Sequence, residues 1–369
     1  GSLGVRWRPT DIVDFATDFS FDRSDRTTTN FYFKGFRFND ADTRTEGRLQ
    51  KDQFYNQAIN WSATLSVNKQ FGDLATNFKL RSLIERQQAE DFWARAQNLV
   101  VDNVRDMSIG QPDLSRVGGE SEDIRSFGYF ASLQLDFKDR YIGDFLLRRD
   151  GSSLFGEDQR WHWYYRAGGA YRMSEESWWP FEFLDEFKVR YSRGTAGARP
   201  RFEAQYETYS VGTGVVSKGN LGNSNLTPEL ATEQEVGVDL IALGRIGLGV
   251  TYAHSVVENQ ILLVPLAGFY GFGNQWRNAG TIEGGTWEGT AQLAILQGAD
   301  LGWNASFVVD RTRQEITEFT LPPFRTGPGD SYYVREGEIL GTMYGHRWAS
   351  TCDEILTDGG FGAACGAFD

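Results

Sequence analysis

The chain has 369 residues, a formal net charge of −13 and a sequence pI near 4.9. This acid excess argues against nucleic acid as a partner, because binding to phosphates requires clustered Lys and Arg. No stretch approaches the roughly 18 consecutive apolar residues of a membrane helix. His162, His254 and His346 lie far apart without ligand-like spacing, so we expect no metal site. The Gly-x-Gly sequences at 247–249 and 271–273 do not open a helix, so we expect no nucleotide cofactor.

Apolar and polar residues alternate along most of the chain. Residues 2–8 read as a first strand, and three longer runs follow the same rule. Their apolar positions are Trp61, Ala63, Leu65 and Val67; Phe127, Tyr129, Ala131, Leu133, Leu135 and Phe137; and Leu301, Trp303, Ala305, Phe307 and Val309. Successive side chains of a strand point to opposite faces, so each run has one apolar and one polar face. A membrane β-barrel requires this arrangement, with lipid outside and a watery lumen inside.

Short turns and long polar segments alternate between these strands. Gly, Asp and Pro mark tight turns near residues 9–11, 71–73, 138–139, 183–185, 243–245 and 297–299. Longer polar segments lie near residues 22–54, 88–124, 150–160, 196–229, 259–275 and 312–369. Six hairpins correspond to about 12 strands. The sequence therefore predicts an all-β fold: an antiparallel up-and-down transmembrane β-barrel segment with short periplasmic turns and long extracellular loops.

Aromatic residues mark two places along this pattern. Residues 31–38 predict a hairpin that extends above the membrane. Trp178, Trp179 and Phe181 lie beside an inferred short turn, where aromatic side chains suit an interfacial girdle. The alternative is that these three residues pack under the turn.

Six short motifs occur in order between residues 120 and 345, at strand ends and in loops. The second and third motifs cover residues 168–176 and 187–197. The defining positions of the others are Arg149, Asp150, Gly151, Ser152, Ser153, Phe155, Gly156, Arg160 and Trp161; Asn225, Leu226, Pro228 and Glu229; Asn278 and Gly280; and Glu336 and Gly337. Together the six motifs resemble those of TonB-dependent outer-membrane receptors, in particular the SusC/RagA-type nutrient importers.

This resemblance implies a segment of a barrel. We expect residues 1–369 to form one partial barrel domain, truncated at both ends, without a plug or TonB box, and with residues 312–369 as a long extracellular loop region. The implied location is the outer membrane of a Gram-negative-type bacterium. The implied function is active import of an oligosaccharide or peptide, and the implied partners are TonB, through the missing plug, a SusD-like surface lipoprotein and outer-membrane lipid.

Polar residues at the inward-facing positions of the strands have two possible roles: they contact a plug, or they are simply hydrated in the lumen. Glu233, Glu235 and Asp239 place carboxylates on that face, and Lys79 and Arg81 place cations there. No catalytic constellation is evident, because no G-x-S-x-G elbow lies between a strand and a helix. We therefore expect no enzyme.

The outer loops carry the candidate substrate-binding residues. Aromatic side chains commonly line binding pockets and can stack on sugar rings, although loop self-packing is the alternative. These residues are Trp93, Tyr206, Tyr209, Phe269, Tyr270, Phe272 and Trp276. Cys352 and Cys365 flank a Gly-rich segment, and an oxidising envelope favours a disulfide between them over two free thiols.

Two other classes of protein fit part of the pattern. A passive porin-like barrel has the same strands without a plug upstream. A soluble or surface glycan-binding β-sandwich or adhesin has more polar outward positions and loops that are not sorted by length.

Overall fold

The structure is a computed structural model that describes residues 1–39, 44–212, 214–298 and 300–345. Its strands are β1 (Ser2–Trp7), β2 (Val13–Lys34), β3 (Glu46–Phe71), β4 (Leu74–Gln97), β5 (Arg116–Phe137), β6 (Tyr141–Ser152), β7 (Trp161–Arg172), β8 (Leu184–Ala198), β9 (Tyr209–Gly212), β10 (Val215–Lys218), β11 (Asn220–Leu221), β12 (Glu229–Ala242), β13 (Ile246–Glu258), β14 (Ile261–Pro265), β15 (Asn274–Asn278), β16 (Thr281–Gln297), β17 (Gly302–Glu318), β18 (Phe324–Thr326) and β19 (Tyr332–Val334). Among these described residues, no helix has the length and apolar character needed to cross a membrane.

One antiparallel sheet of 12 strands dominates the described part of the chain, in the order β1 to β8, β12, β13, β16 and β17. The predicted all-β fold and the predicted strand number are confirmed. The strands form a single continuous sheet rather than two packed sheets, which is contrary to the β-sandwich alternative. The sheet is open, because β1 and β17 each pair with one neighbour of the sheet within the described residues.

The strand register keeps the apolar positions of neighbouring strands on one face. Trp61 pairs with Phe19 on one side and with Ile84 on the other, and Ile84 pairs with Phe127. Without lipid around the chain, the side chains on this apolar face are exposed, and Phe307 has an exposed fraction of 61 %. Apolar side chains that face away from a protein core are favoured where lipid covers them. This face is therefore the outer wall.

Within the described residues, two small clusters of buried apolar side chains lie near the outer ends of the strands. Leu49, Ala96 and Leu99 form one cluster, and Ile282, Ile316 and Phe319 form the other. Both lie where long hairpins and loops fold back on the sheet. The fold therefore depends on its backbone ladder and on the lipid outside, with little contribution from a central core.

The strands extend further than the alternation predicts. The predicted loops at 22–54 and 88–124 are largely parts of β2, β3, β4 and β5. The sequence signal fails there because both faces of these extensions are polar, as expected above a membrane, while the backbone ladder continues without an apolar face. The predicted hairpin within residues 31–38 is wrong, because residues 31–34 are the outer end of β2 and pair with β3, where Phe31 lies opposite Leu49.

The short turns follow the expected chemistry. Gly72 has φ of 60° between β3 and β4, and Lys138 and Asp139 both have positive φ between β5 and β6. Asp136 stabilises the latter turn, because its Oδ1 accepts a hydrogen bond from the Asp139 N–H at 2.9 Å. One connection is longer than predicted, since residues 173–183 separate β7 from β8.

Packing of aromatic and polar side chains explains this longer connection. The Trp179 ring stacks on Phe187 with centroids 5.2 Å apart. Glu176 accepts hydrogen bonds from the hydroxyls of Tyr141 and Tyr171 at 2.7 and 3.2 Å. Trp178 and Phe181 remain exposed at this end of the sheet, so their role in an interfacial girdle stays a prediction.

We expect the Leu133→Arg substitution to destabilise the membrane-inserted protein by about 2–4 kcal/mol, the cost of a cation facing lipid near mid-depth. The matched control is Gln134→Arg, which places the same side chain on the polar face beside Asp144. The two substitutions are made in the complete protein, and urea unfolding in lipid vesicles measures the free energy of unfolding of each variant. Equal destabilisation of the two variants would contradict the assignment of the faces.

Candidate functional site: outer loops and the polar face

Two outer loops are joined through a small sheet. Strand β11 pairs in parallel with β15, so Asn220 lies opposite Asn274, and β15 also pairs with β14. Asn223 strengthens this junction, because its Nδ2 donates a hydrogen bond to the backbone oxygen of Trp276 at 2.9 Å. The segment after β8 and the segment after β13 therefore form one unit on the outer side.

Asn278 clamps the same unit two residues after Trp276 on β15. Its Oδ1 accepts from the Thr227 N–H at 3.0 Å, and its Nδ2 donates to the carbonyls of Thr227 and Asn259 at 2.9 and 2.8 Å. Glu229 adds a further contact by accepting from the Ile261 N–H at 2.8 Å. These motif residues satisfy the backbone groups of irregular loops, which would otherwise lack partners.

The other residues of the two motifs that contain Glu229 and Asn278 lie next to this clamp. Leu226 is 1 % exposed, and Pro228 is also buried. Asn225 is exposed, and its backbone N–H donates to Asn223 at 3.1 Å. Gly280 adopts φ of 114° beside the Glu318 carbonyl, a conformation and a close approach that favour glycine.

The first motif folds the connection between β6 and β7 inward. The hydroxyl of Ser153 accepts from the Arg125 N–H at 3.0 Å, and its carbonyl accepts from Gln205 at 2.9 Å. Ser152 and Phe155 are buried. A Cβ on Gly156 would lie 2.1 Å from the Ser224 oxygen, so glycine is required for the two loops to meet.

Asp150 and Arg160 complete the first motif. Asp150 accepts a hydrogen bond from Nε of Arg148 at 2.6 Å, and the Arg160 carbonyl accepts from the Ser152 N–H at 3.2 Å. Arg149 and Trp161 lie on the opposite, apolar face of the sheet. The first motif therefore contributes to both faces of the wall.

The last motif lies against the outer end of β17. The Gly337 N–H donates to the Ile316 carbonyl at 2.8 Å, and Gly337 has φ of 81°. Glu336 accepts a hydrogen bond from the Phe319 N–H at 3.3 Å. The segment thereby covers the outer end of β17, on the edge that pairs with no other strand of the 12-stranded sheet in the described residues.

The predicted aromatic binding residues are only partly brought together. Tyr209 and Phe272 are in contact with ring centroids 6.1 Å apart, and Lys218 lies 4.6 Å above the Phe272 ring. Phe269 and Tyr270 form an exposed pair with centroids 4.3 Å apart. We call these four aromatic residues the loop aromatic cluster.

The other three candidates lie elsewhere. Trp276 is half-buried, with Arg201 5.7 Å above its ring, and the Tyr206 ring contacts Phe202 at 5.6 Å. Trp93 lies on β4 and covers Gly118, far along the sheet from the two joined loops. The role of all seven aromatic residues in binding stays a prediction.

Opposite charges form a network on the polar face near the inner ends of β7, β8 and β12. Asp239 lies 3.0 Å from Lys188 and 3.4 Å from Arg190, and Glu235 lies 3.8 Å from Arg190. Arg190 also donates to the hydroxyl of Thr251 at 2.6 Å. The predicted placement of Glu235 and Asp239 on this face is confirmed by the register, whereas contact of these groups with a plug stays a prediction.

A cleft of about 620 Å³ opens on the polar face next to this network. Small residues of β8, among them Gly194 and Gly197, form its floor, and Glu233 lies on its wall. Tyr164 is 9 % exposed, and its hydroxyl makes no hydrogen bond to the part of the chain that the structure describes. The cleft therefore presents a phenol and a carboxylate beneath the outer loops.

Sequence reasoning missed several of these residues. Tyr164 was detectable, because it shares the polar parity of β7 with His162 and Arg166. Asn223 and Gln205 carried no sequence signal, since their partners lie 53 and 52 residues away. Cys352 and Cys365 lie outside the described residues.

A sheet with an apolar outer face, a charged inner face and loops joined at one end defines the wall of a membrane β-barrel. The chain belongs to the TonB dependent receptor-like β-barrel family, whose model matches residues 1–348. The predicted resemblance is confirmed. Members of this family are outer-membrane receptors and transporters rather than enzymes.

Relatives and solved structures agree with this membership. TonB-dependent receptor P39 of Formosa agariphila is 26 % identical over 344 residues, which cover 87 % of this chain and 32 % of that protein. TonB-dependent receptor SusC of Bacteroides thetaiotaomicron is 26 % identical over 228 residues, which cover 58 % of this chain and 22 % of that protein. The structure of the RagAB peptide transporter matches with a TM-score of 0.82 at 18 % identity, over 91 % of this chain and 38 % of that one.

The chain thus spans about a third of the length of the first curated relative.

We expect Asn278→Ala to open the joined loops, because it removes three hydrogen bonds and leaves backbone groups unsatisfied, at a cost of about 1–3 kcal/mol. Limited proteolysis of the folded protein should cut the segments 219–228 and 259–275 faster in this variant. Asn225→Ala is the matched control, since the Asn225 side chain is exposed. Equal cleavage rates in the two variants would show that Asn278 is not a clamp.

Proposed function

We propose that this chain forms part of the barrel wall and the substrate-capturing loops of a TonB-dependent importer. The importer lies in the outer membrane of a Gram-negative-type bacterium and takes up a nutrient of the oligosaccharide or peptide class. The observation that carries the proposal is the match of residues 1–348 to the receptor barrel family. The separation of an apolar and a charged face across 12 strands supports it.

Similar proteins support the class of cargo. Two of them are SusC and the RagAB peptide transporter, and the name of the second specifies a peptide as its cargo. The exposed members of the loop aromatic cluster, Tyr209, Phe269 and Tyr270, suit stacking on sugar rings or contact with peptide side chains, whereas Phe272 is buried. The cleft beside Tyr164 and Glu233 offers hydrogen-bonding groups to cargo that passes the loops.

The proposed partners act at opposite sides of the membrane. TonB supplies energy through a plug and a TonB box that belong to the complete receptor. A SusD-like surface lipoprotein covers the outer loops as a lid. The residues of the polar face contact the plug, with the charges of Arg190 and Asp239 available for this contact.

Active import distinguishes this proposal from a passive porin. Cells that carry the complete receptor should accumulate a labelled oligosaccharide or peptide, and deletion of its gene should abolish that uptake. A protonophore should also abolish it, because energy reaches TonB from the inner membrane. Uptake that continues unchanged with the protonophore would favour the porin.

We expect the double substitution Phe269→Ala with Tyr270→Ala to weaken uptake of the preferred cargo roughly tenfold at low concentration, since each aromatic contact contributes about 0.5–1.5 kcal/mol. Maximal uptake at saturating cargo should be retained. Phe92→Ala is the control, because Phe92 is also an exposed aromatic residue but lies on β4. Unchanged uptake in the double variant would exclude the cluster from cargo capture.

A further inference from the structure

Consecutive arginines on β6 point to opposite faces of the sheet and have different partners. Arg148 lies on the polar face and pairs with Asp150, with Nε and Oδ2 2.5 Å apart. Arg149 lies on the apolar face, where its register partners are Tyr129 and Trp163. Its side chain makes no ion pair and no hydrogen bond to the described part of the chain. A chain with net charge −13 therefore leaves a cation without an anion on its outer wall.

Aromatic rings form a site around the Arg149 guanidinium. Its central carbon lies 5.0 Å from the centroid of Trp161 and 5.4 Å from that of Trp163. Tyr129 stacks on Trp161 with centroids 6.1 Å apart. Gly151 permits this arrangement, because a Cβ there would lie 2.9 Å from the Trp161 ring. The indoles orient the guanidinium but accept none of its five N–H groups as a carbonyl or phosphate oxygen would.

The height of this site matches the outer interface of the membrane. Tyr141 and Tyr171 stack at the inner end of β6 and β7, and Arg149 follows Tyr141 by eight residues. A rise of about 3.3 Å per residue and a tilt of about 40° place Arg149 roughly 20 Å above that aromatic pair. The apolar band of a barrel is about 25 Å tall, so the guanidinium lies where acyl chains meet headgroups.

Two other outward arginines, Arg86 on β4 and Arg125 on β5, have a protein partner instead. Arg86 and Arg125 both donate to Asp123, and these hydrogen bonds lower the pKa of that carboxyl to about 2. Arg149 has no such carboxylate within the described residues. At a lipid interface, the anion available to it is the phosphate of a headgroup.

We propose that Arg149, with Trp161, Trp163 and Tyr129, binds the phosphate of an outer-leaflet glycolipid. The guanidinium fork matches two phosphate oxygens, which favours Arg over Lys at this position. The indoles pack against the sugar and upper acyl region of the same lipid. The inference rests on the proposed outer-membrane location and adds a defined lipid site to it.

Native mass spectrometry of the complete receptor tests this site. The receptor is incubated in mild detergent with a phosphorylated diglucosamine lipid, or with the same lipid after removal of its phosphates, and retained lipid is counted. We expect the wild type to retain the phosphorylated form roughly tenfold more tightly, as for one charge-assisted bidentate contact. Arg149→Gln should abolish this preference, and Arg149→Lys should keep a reduced part of it.

The matched control is Arg148→Gln, which removes the same side chain one position away on the polar face and should keep the preference. Heat-modifiable gel mobility confirms that each variant is folded. If Arg149→Gln does not fold, the comparison of the two lipids on the wild type and on Arg149→Lys decides. The site would be overturned if the folded wild type retained the two lipids equally, or if Arg149→Gln retained the phosphorylated lipid as tightly as the wild type does. Either result would leave the importer proposal intact. Failure of the wild type to fold in any lipid would contradict the membrane location as well.

Discussion

Backbone hydrogen bonding inside a membrane is the constraint on which this structure depends. Lipid offers no partner for N–H and C=O groups, so each strand must be paired along its whole span. The 12-stranded ladder meets this requirement for the strands between its two ends, and among the described residues β1 and β17 each pair with one strand of the sheet. Because the ladder satisfies the backbone, the side chains are free to divide between lipid and lumen.

This division explains the distribution of charge. The inner face holds carboxylates and cations in a network around Arg190 and Asp239, where water can solvate them. The outer face is apolar up to the level of Arg149, where aromatic rings and a cation take over. One strand, β6, carries both kinds of environment at adjacent residues.

The outer loops follow a different rule, since no lipid and no long ladder orders them. Side-chain hydrogen bonds from Asn278 and Asn223, together with the close approach at Gly156, join segments that are distant in sequence. The family motifs lie at these contacts. We infer that they preserve loop geometry, while Phe269 and Tyr270 take no part in these contacts and remain exposed.

The sequence by itself determined the fold class, most of the short turns and the two faces, because alternation with a period of two reports directly on which side chains meet lipid. It predicted the placement of Glu235 and Asp239, and the parity of β6 implies the outward direction of Arg149. Only the tertiary structure decided how far the strands rise above the membrane, because polar extensions carry no apolar signal. The hydrogen bonds of the Asn278 clamp and the packing of aromatic rings around Arg149 are also seen only in the tertiary structure, since strand pairing and loop packing bring those partners together.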